Sequence, residues 1–169
     1  MKEAKDIQEI AAAIREELGE GVVLEMQMEA RQPWLDIAPE RIADLCLYLR
    51  DTPGLHFDYL ECLTGVDHGP KAGTLGVVYH LMSIPYGHRL VLKVTLPRGT
   101  ETDLPSLPSV TPIWRTADWH EREAYDLVGI HFEGHPDLRR ILMPADWPGH
   151  PLRKDYENPD TYHGVDTAY

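Results

Sequence analysis

Three groups of side chains have the types and spacing to do chemistry. His131-Phe132-Glu133-Gly134-His135 offers two imidazoles and a carboxylate. Zinc hydrolases of the H-E-x-x-H kind need both histidines on one helical face, with the glutamate between them as general base. Here glutamate is third, Gly134 interrupts and Pro136 follows, so the pattern points to turn and interface histidines rather than ligands. Glu121, Glu123 and Asp126 offer carboxylates for acid–base work. On a helix Glu121 and Glu123 point about 200° apart, so they cannot share one site. Cys46 and Cys62 are the only cysteines, and two thiols fall short of the four usual ligands of an iron–sulfur cluster. The sequence has no G-x-G-x-x-G, no Walker loop and no G-x-S-x-G elbow. No catalytic centre is expected on this chain.

The elements that must hold the carboxylates come next. Asp118 stands where a helix N-cap belongs, and Glu121 three residues on would complete a capping box. Gly129 stands where the helix would stop in a left-handed turn. Asp118, Glu121 and Glu123 suit the positive end of the helix dipole, and Arg122 and Asp126 are spaced to pair. Ile130 and Phe132 alternate with His131 and Glu133, predicting a short half-buried strand, and Gly134-His135-Pro136-Asp137 predicts a turn.

Upstream, Ile7, Ile10, Ala11, Ile14 and Leu18 mark an amphipathic helix ended by Gly19 or Gly21. Val22, Leu24, Met26 and Met28 alternate with Val23, Glu25, Gln27 and Glu29, predicting a strand with one wet face, and Trp34–Ile37 predicts a second. Pro39 starts a helix with Ile42, Leu45, Cys46 and Leu49 inward; Pro53-Gly54 ends it. Residues 55–63 predict a third strand and residues 67–73 a polar loop. Residues 74–84 and 89–96 predict a hairpin through Pro85-Tyr86-Gly87-His88. A proline-rich connector spans 97–112, with Leu104, Leu107, Val110 and Ile113 able to touch the body. Helices do not alternate singly with strands. An α+β fold, a two-layer sandwich with a mixed sheet and helices on one face, is therefore expected over residues 1–137.

Residues 138–169 scatter Ile141, Leu142, Trp147, Leu152, Tyr156, Tyr162 and Tyr169 among prolines and charges. Such a segment cannot build its own core, and it has too many anchors for a flexible tail. It is expected to lie extended along a partner and to order on binding. Net charge is −12, from 28 acids against 16 bases, which repels nucleic acid and anionic lipid. Arg139, Arg140, Arg153 and Lys154 are a local exception suited to an acidic or carbonyl-rich partner surface. No apolar run approaches the roughly 18 residues of a membrane span. The charged start, Met1-Lys2-Glu3-Ala4-Lys5-Asp6, predicts no secretory signal, and the two thiols are expected to stay reduced, Cys46 as a packing residue.

Glu121-Arg122-Glu123-Ala124-Tyr125-Asp126, then Gly129-Ile130, Phe132, Gly134-His135, Leu138–Leu142 and Pro151-Leu152-Arg153-Lys154-Asp155, resemble the 30 kDa subunit of proton-pumping NADH:quinone oxidoreductase, respiratory complex I. Thr64–Asp67, Tyr79–Leu81 and Pro108–Val110 fit its pattern more weakly; the match runs over about residues 55–156. The resemblance implies a cofactor-free subunit of the hydrophilic arm, with FMN and iron–sulfur clusters on partner subunits. It implies docking on the 49 kDa component beside the quinone cavity, on the cytoplasmic side of the membrane. Its motif residues Glu121, Arg122, Glu123, Tyr125, Asp126, Gly129, Gly134, His135, Arg139, Arg140, Pro151, Leu152, Arg153 and Lys154 are then expected at the partner interface or supporting it. Charge reversal at Glu123 or Arg140 is expected to weaken assembly and spare the isolated fold. The corresponding subunit of a membrane-bound hydrogenase or other-donor complex is the alternative reading, and an autonomous metal hydrolase is a third.

Overall fold

Alternating apolar and polar residues along Thr74–Met82 and Arg89–Pro97 build two long strands, β4 and β5 below. They pair antiparallel from Thr74↔Pro97 to Met82↔Arg89. The structure is a computed structural model that describes residues 4–167. Its elements are α1 (Ile7–Leu18), β1 (Val23–Gln27), β2 (Trp34–Ile37), α2 (Ile42–Asp51), β3 (Tyr59–Gly69), β4, β5, β6 (Ser106–Pro108), α3 (Ala117–Val128), β7 (His131–Glu133), β8 (Thr161–Tyr162) and β9 (Val165–Asp166). The main sheet runs β1-β2-β5-β4-β3, and the parallel β2–β5 pair among antiparallel neighbours makes it mixed.

One face of that sheet is the core. Leu75, Val77, Tyr79 and Leu81 of β4 share it with Leu90, Leu92, Val94 and Leu96 of β5, and all are buried. The intervening Lys93 and Thr95 turn to the other face, as the period-2 geometry requires. Ile10, Ala11 and Ile14 of α1 and Ile42, Leu45, Cys46 and Leu49 of α2 close over the core face, the stripes read from spacing. Each fully buried leucine or isoleucine contributes roughly 2 kcal/mol. Gly65 of β3 lets α3 approach closely: a Cβ there would lie 3.1 Å from that of Ala124 and 3.2 Å from Val128 Cγ2. The expected α+β architecture with a mixed sheet is the one observed.

Three local expectations are corrected. β3 starts at Tyr59, not Leu55, because residues 55–58 turn back onto the end of α2 through Leu55 N–H to Thr52 O and Phe57 N–H to Leu49 O. At its other end β3 runs through the expected loop to Gly69, because Asp67 and Gly69 pair with Leu75 and Thr74 and shorten the turn. In β1 a register shift between Val23 and Glu25 breaks the alternation and leaves Leu24 59% exposed.

The connector does touch the body, through buried Leu107 and Val110, and it contributes β6, which pairs in parallel with β7. Residues 138–155 cross the flank of α3 as a strap, followed by the β8–β9 hairpin. Tyr169 and Met1–Glu3 lie outside the described residues.

Candidate functional site

α3 carries most of the motif residues, and its surroundings decide what each does. It begins at Ala117 behind Thr116, whose helical φ −63° and ψ −24° leave no side-chain cap. The expected Asp118–Glu121 capping box is therefore absent. Glu121 turns inward from the same face as Ala117, Ala124 and Val128. There its carboxylate accepts from Ser109 Oγ at 2.6 Å and from the Val110 N–H at 2.7 Å. A buried carboxyl is tolerated where donors meet it. Burial nevertheless pushes its pKa up to about 7, helped by the charge of Asp118 and opposed by the two donors.

The opposite flank holds the strap. Asp126 is fully buried; its Oδ2 accepts from the N–H groups of Ile141 (3.0 Å), Leu142 (2.7 Å) and Met143 (3.0 Å). Its Oδ1 meets Arg140 Nη1 at 3.1 Å, and Arg140 Nη2 reaches Gly149 O at 2.9 Å. Burial alone would raise the pKa of Asp126, but the three N–H groups and Arg140 outweigh it and hold the carboxyl below its usual range. The expected Arg122–Asp126 pair does not form. Arg122 lies 3.9 Å from Asp118, in the better acid-before-base order, and 3.9 Å from Asp137, with its guanidinium 4.9 Å above the Trp119 ring.

The last carbonyls of α3 lack helical partners, and the strap supplies them. Gly129 stops the helix at φ 77° and ψ 55°, as expected, and a Cβ there would sit 2.5 Å from His150 Cδ2. His150 Nδ1 bonds Asp126 O at 2.9 Å, the Leu152 N–H donates to Leu127 O at 2.8 Å, and Arg153 Nε donates to Val128 O at 2.8 Å. Arg153 thus places its cation at the negative end of the helix. The Lys154 N–H donates to Asp67 Oδ2 at 2.6 Å, and Asp67 also accepts from the Gly69 N–H and from Arg98, which meets Asp155 as well. Burial acts to raise the Asp67 pKa, but Arg98 and the two N–H groups bring it down to about 2.

The two motif histidines serve different turns. His135 Nε2 donates to Asp118 O at 3.2 Å while its Nδ1 accepts from the Asp137 N–H; His131 Nδ1 faces Ser106 Oγ at 3.3 Å. Among the described residues no three His, Cys, Asp or Glu side chains converge to hold a metal ion. Tyr125 is half-buried against the core, and Gly134 turns at φ 80°. Pointing outward are Glu123, Arg139 (paired with Asp137 at 2.9 Å), Lys154, and three large apolar side chains: Trp119, Leu142 and Leu152, 64%, 63% and 57% exposed. Pro151 is half-buried beside them in sequence.

The motif residues thus divide into internal anchors (Glu121, Asp126, Gly129, Arg140, Arg153) and an outward set. Ser109, Asp67, Arg98 and His150 complete the anchors, and sequence reasoning singles out none of them one by one. Ser109 and Asp67 lie in the weaker motif stretches, while nothing local marks Arg98 or His150. Arg140 cannot have its charge reversed without unseating Asp126, so the fold would not be spared.

Residues 35–162 match the family model described as respiratory-chain NADH dehydrogenase, 30 kDa subunit. The chain belongs to that family. It is 46% identical over 158 residues to the C-type subunit of NADH-quinone oxidoreductase from Chlorobium phaeobacteroides, covering 92% of each chain. It is 51% identical over 126 residues to the same-named protein of Chloroherpeton thalassium, where the match covers 74% of this chain but half of the relative. Among solved structures, a chain from the archaeal membrane-bound sulfane sulfur reductase, a respiratory membrane complex, superposes with a TM-score of 0.71. That match has 25% identity and covers 89% of this chain and 85% of the other.

Proposed function

We propose that the chain is a cofactor-free component of the peripheral arm of a proton-pumping NADH:quinone oxidoreductase. It braces the 49 kDa-type subunit near the quinone site while FMN and iron–sulfur clusters on other chains carry the electrons. The observation that carries this reading is the use of the motif's charges. Glu121, Asp126, Arg140 and Arg153 are bonded inside the chain and tie α3 to the connector and to the strap. What remains outward, Trp119, Glu123, Leu142 and Leu152, is a mixed apolar and charged set of side chains of the kind found at protein interfaces. Cys46 is buried in α2 and Cys62 is half-buried beside Thr64, and two isolated thiols fall short of the four usual cluster ligands, which supports the cofactor-free reading. Membrane attachment, on the cytoplasmic side, comes through the companions in this reading; among the described residues no helix is long and apolar enough to cross a membrane.

The likeness to the sulfane sulfur reductase chain favours a second reading, in which the same scaffold serves a complex with another donor or acceptor. Purifying the native complex through a tag on this chain separates the two. A flavin-bearing, NADH-binding companion, with NADH:quinone activity, is the expected result. Companions without it favour the second reading, and a chain recovered free of redox proteins would refute both.

A further inference from the structure

Glu121 is fully buried, yet its carboxylate is not cut off from the surface. Ser109 Oγ lies 2.6 Å from Glu121 Oε2, and Thr111 Oγ1 lies 2.8 Å from Ser109 Oγ. Ser109 is nearly buried and Thr111 is partly exposed, so the hydroxyls lead from the buried carboxyl to a residue that reaches solvent. We infer that Ser109 and Thr111 form a two-hydroxyl relay by which the buried Glu121 carboxyl takes up and releases a proton from solvent.

The geometry allows both polarities. With Glu121 ionised, Thr111 donates to Ser109 and Ser109 donates to the carboxylate. With Glu121 protonated, the carboxyl O–H donates to Ser109 Oγ, and Ser109 turns its own proton toward Thr111. On loading, a hydronium ion gives its proton to Thr111 Oγ1, Thr111 passes its original proton to Ser109 Oγ, and Ser109 passes its own to Glu121 Oε2. Each hydroxyl ends with one proton, the carboxylate becomes neutral, and water is left behind. The Val110 N–H keeps its bond to Oε1 in either state, at 2.7 Å in the structure. The connector therefore need not open for the proton to pass.

The groups facing Glu121 favour a proton there. Asp118 lies one turn earlier on α3, Cys46 comes from α2 and Tyr79 from β4. Burial keeps the Cys46 thiol and the Tyr79 hydroxyl protonated, so the charge they add is nil. The Tyr79 hydroxyl is itself buried without a hydrogen-bond partner among the described residues, and it adds no bond to the Glu121 carboxylate. The nearby charge is that of Asp118, and it is negative. An ionised Glu121 therefore rests on two donors alone, consistent with its pKa near 7.

This inference goes beyond the assembly reading, and its test uses the full chain alone, so either can fail without the other. Carbon NMR of the glutamate side-chain carboxyls, with the Glu121 signal assigned by its loss in Glu121→Gln, follows the site directly. The expected wild-type signal titrates near pH 7, far above the ordinary glutamate value of 4.5. Ser109→Ala should move the midpoint upward by removing a donor to the carboxylate. Thr111→Val should leave the midpoint in place and slow the exchange between the two carboxyl forms severalfold. A Glu121 signal that titrates at the ordinary glutamate value of 4.5 would overturn the site, and unchanged exchange in both hydroxyl variants would overturn the relay.

Discussion

Glu121 and Asp126 lie on one helix and are both fully buried, yet their surroundings drive them in opposite directions. Glu121 faces the sheet layer, where two donors meet it and a like charge stands one turn away. Asp126 faces the strap, where three backbone N–H groups and an arginine converge. One flank of α3 thus strains toward neutrality, and the other depends on a charge. The difference teaches that burial alone does not set the state of a carboxyl; the number and sign of its partners do.

The largest effect should come from removing the strap's anchor. Asp126→Ala leaves three N–H groups and Arg140 without their partner, and should destabilise the chain by about 3–5 kcal/mol. Hydrogen exchange should show residues 139–155 losing protection before the sheet does. Equal protection of the strap and the sheet in that variant would erase the contrast between the flanks.

The pH dependence should split the two carboxyls by sign. The Glu121 pKa is raised from 4.5 to about 7, so its contribution to stability is fully present below pH 4.5. That contribution fades as pH rises through 7, a loss of roughly 3 kcal/mol. Glu121→Gln should flatten this slope in denaturant titrations between pH 4.5 and 8. Asp126 and Asp67 act the other way, since their pKa values are lowered, Asp67 from 3.8 to about 2. Their stabilisation is present above the ordinary carboxylate range and disappears as pH falls through the lowered values; Asp67 accounts for roughly 2 kcal/mol.

Gly129→Ala should come next, at about 1–3 kcal/mol, because the left-handed backbone disfavours a Cβ and His150 would have to move. Thermal unfolding measures it, with the strap loosened more than the core. The smallest change is at the other end of the chain. Asp6→Ala removes a capping box and should cost about 1 kcal/mol, read from the same melts.

That last residue shows how much was legible. Asp6-x-x-Glu9 and Asp118-x-x-Glu121 are the same local pattern, yet only the first forms a box. Asp6 enters its helix from an extended backbone at ψ 170°, and among the described residues Glu9 bonds back to the Asp6 N–H. Before α3 the chain already turns, Ala117 N–H donating to Trp114 O, and Ser109 and Val110 claim Glu121 from another segment. The buried stripes of α1 and α2 and the β4–β5 hairpin could be read from spacing because burial there follows local period. The start of β3 could not, since it depends on how residues 55–58 fold back on α2. Nor could the partners of Asp126, which lie 14 to 17 positions away. Arg140 reads as docking charge beside Arg139, but only Arg139 is exposed.

On the proposed reading, α3 keeps its inner charges for its own fold and offers its outward side chains to a companion protein. The most direct test is the yield of assembled complex from cells making Glu123→Arg, measured against the amount of folded chain. A severalfold drop in assembly is expected while the isolated variant unfolds as the wild type does. Full assembly with Glu123→Arg in place would contradict that reading.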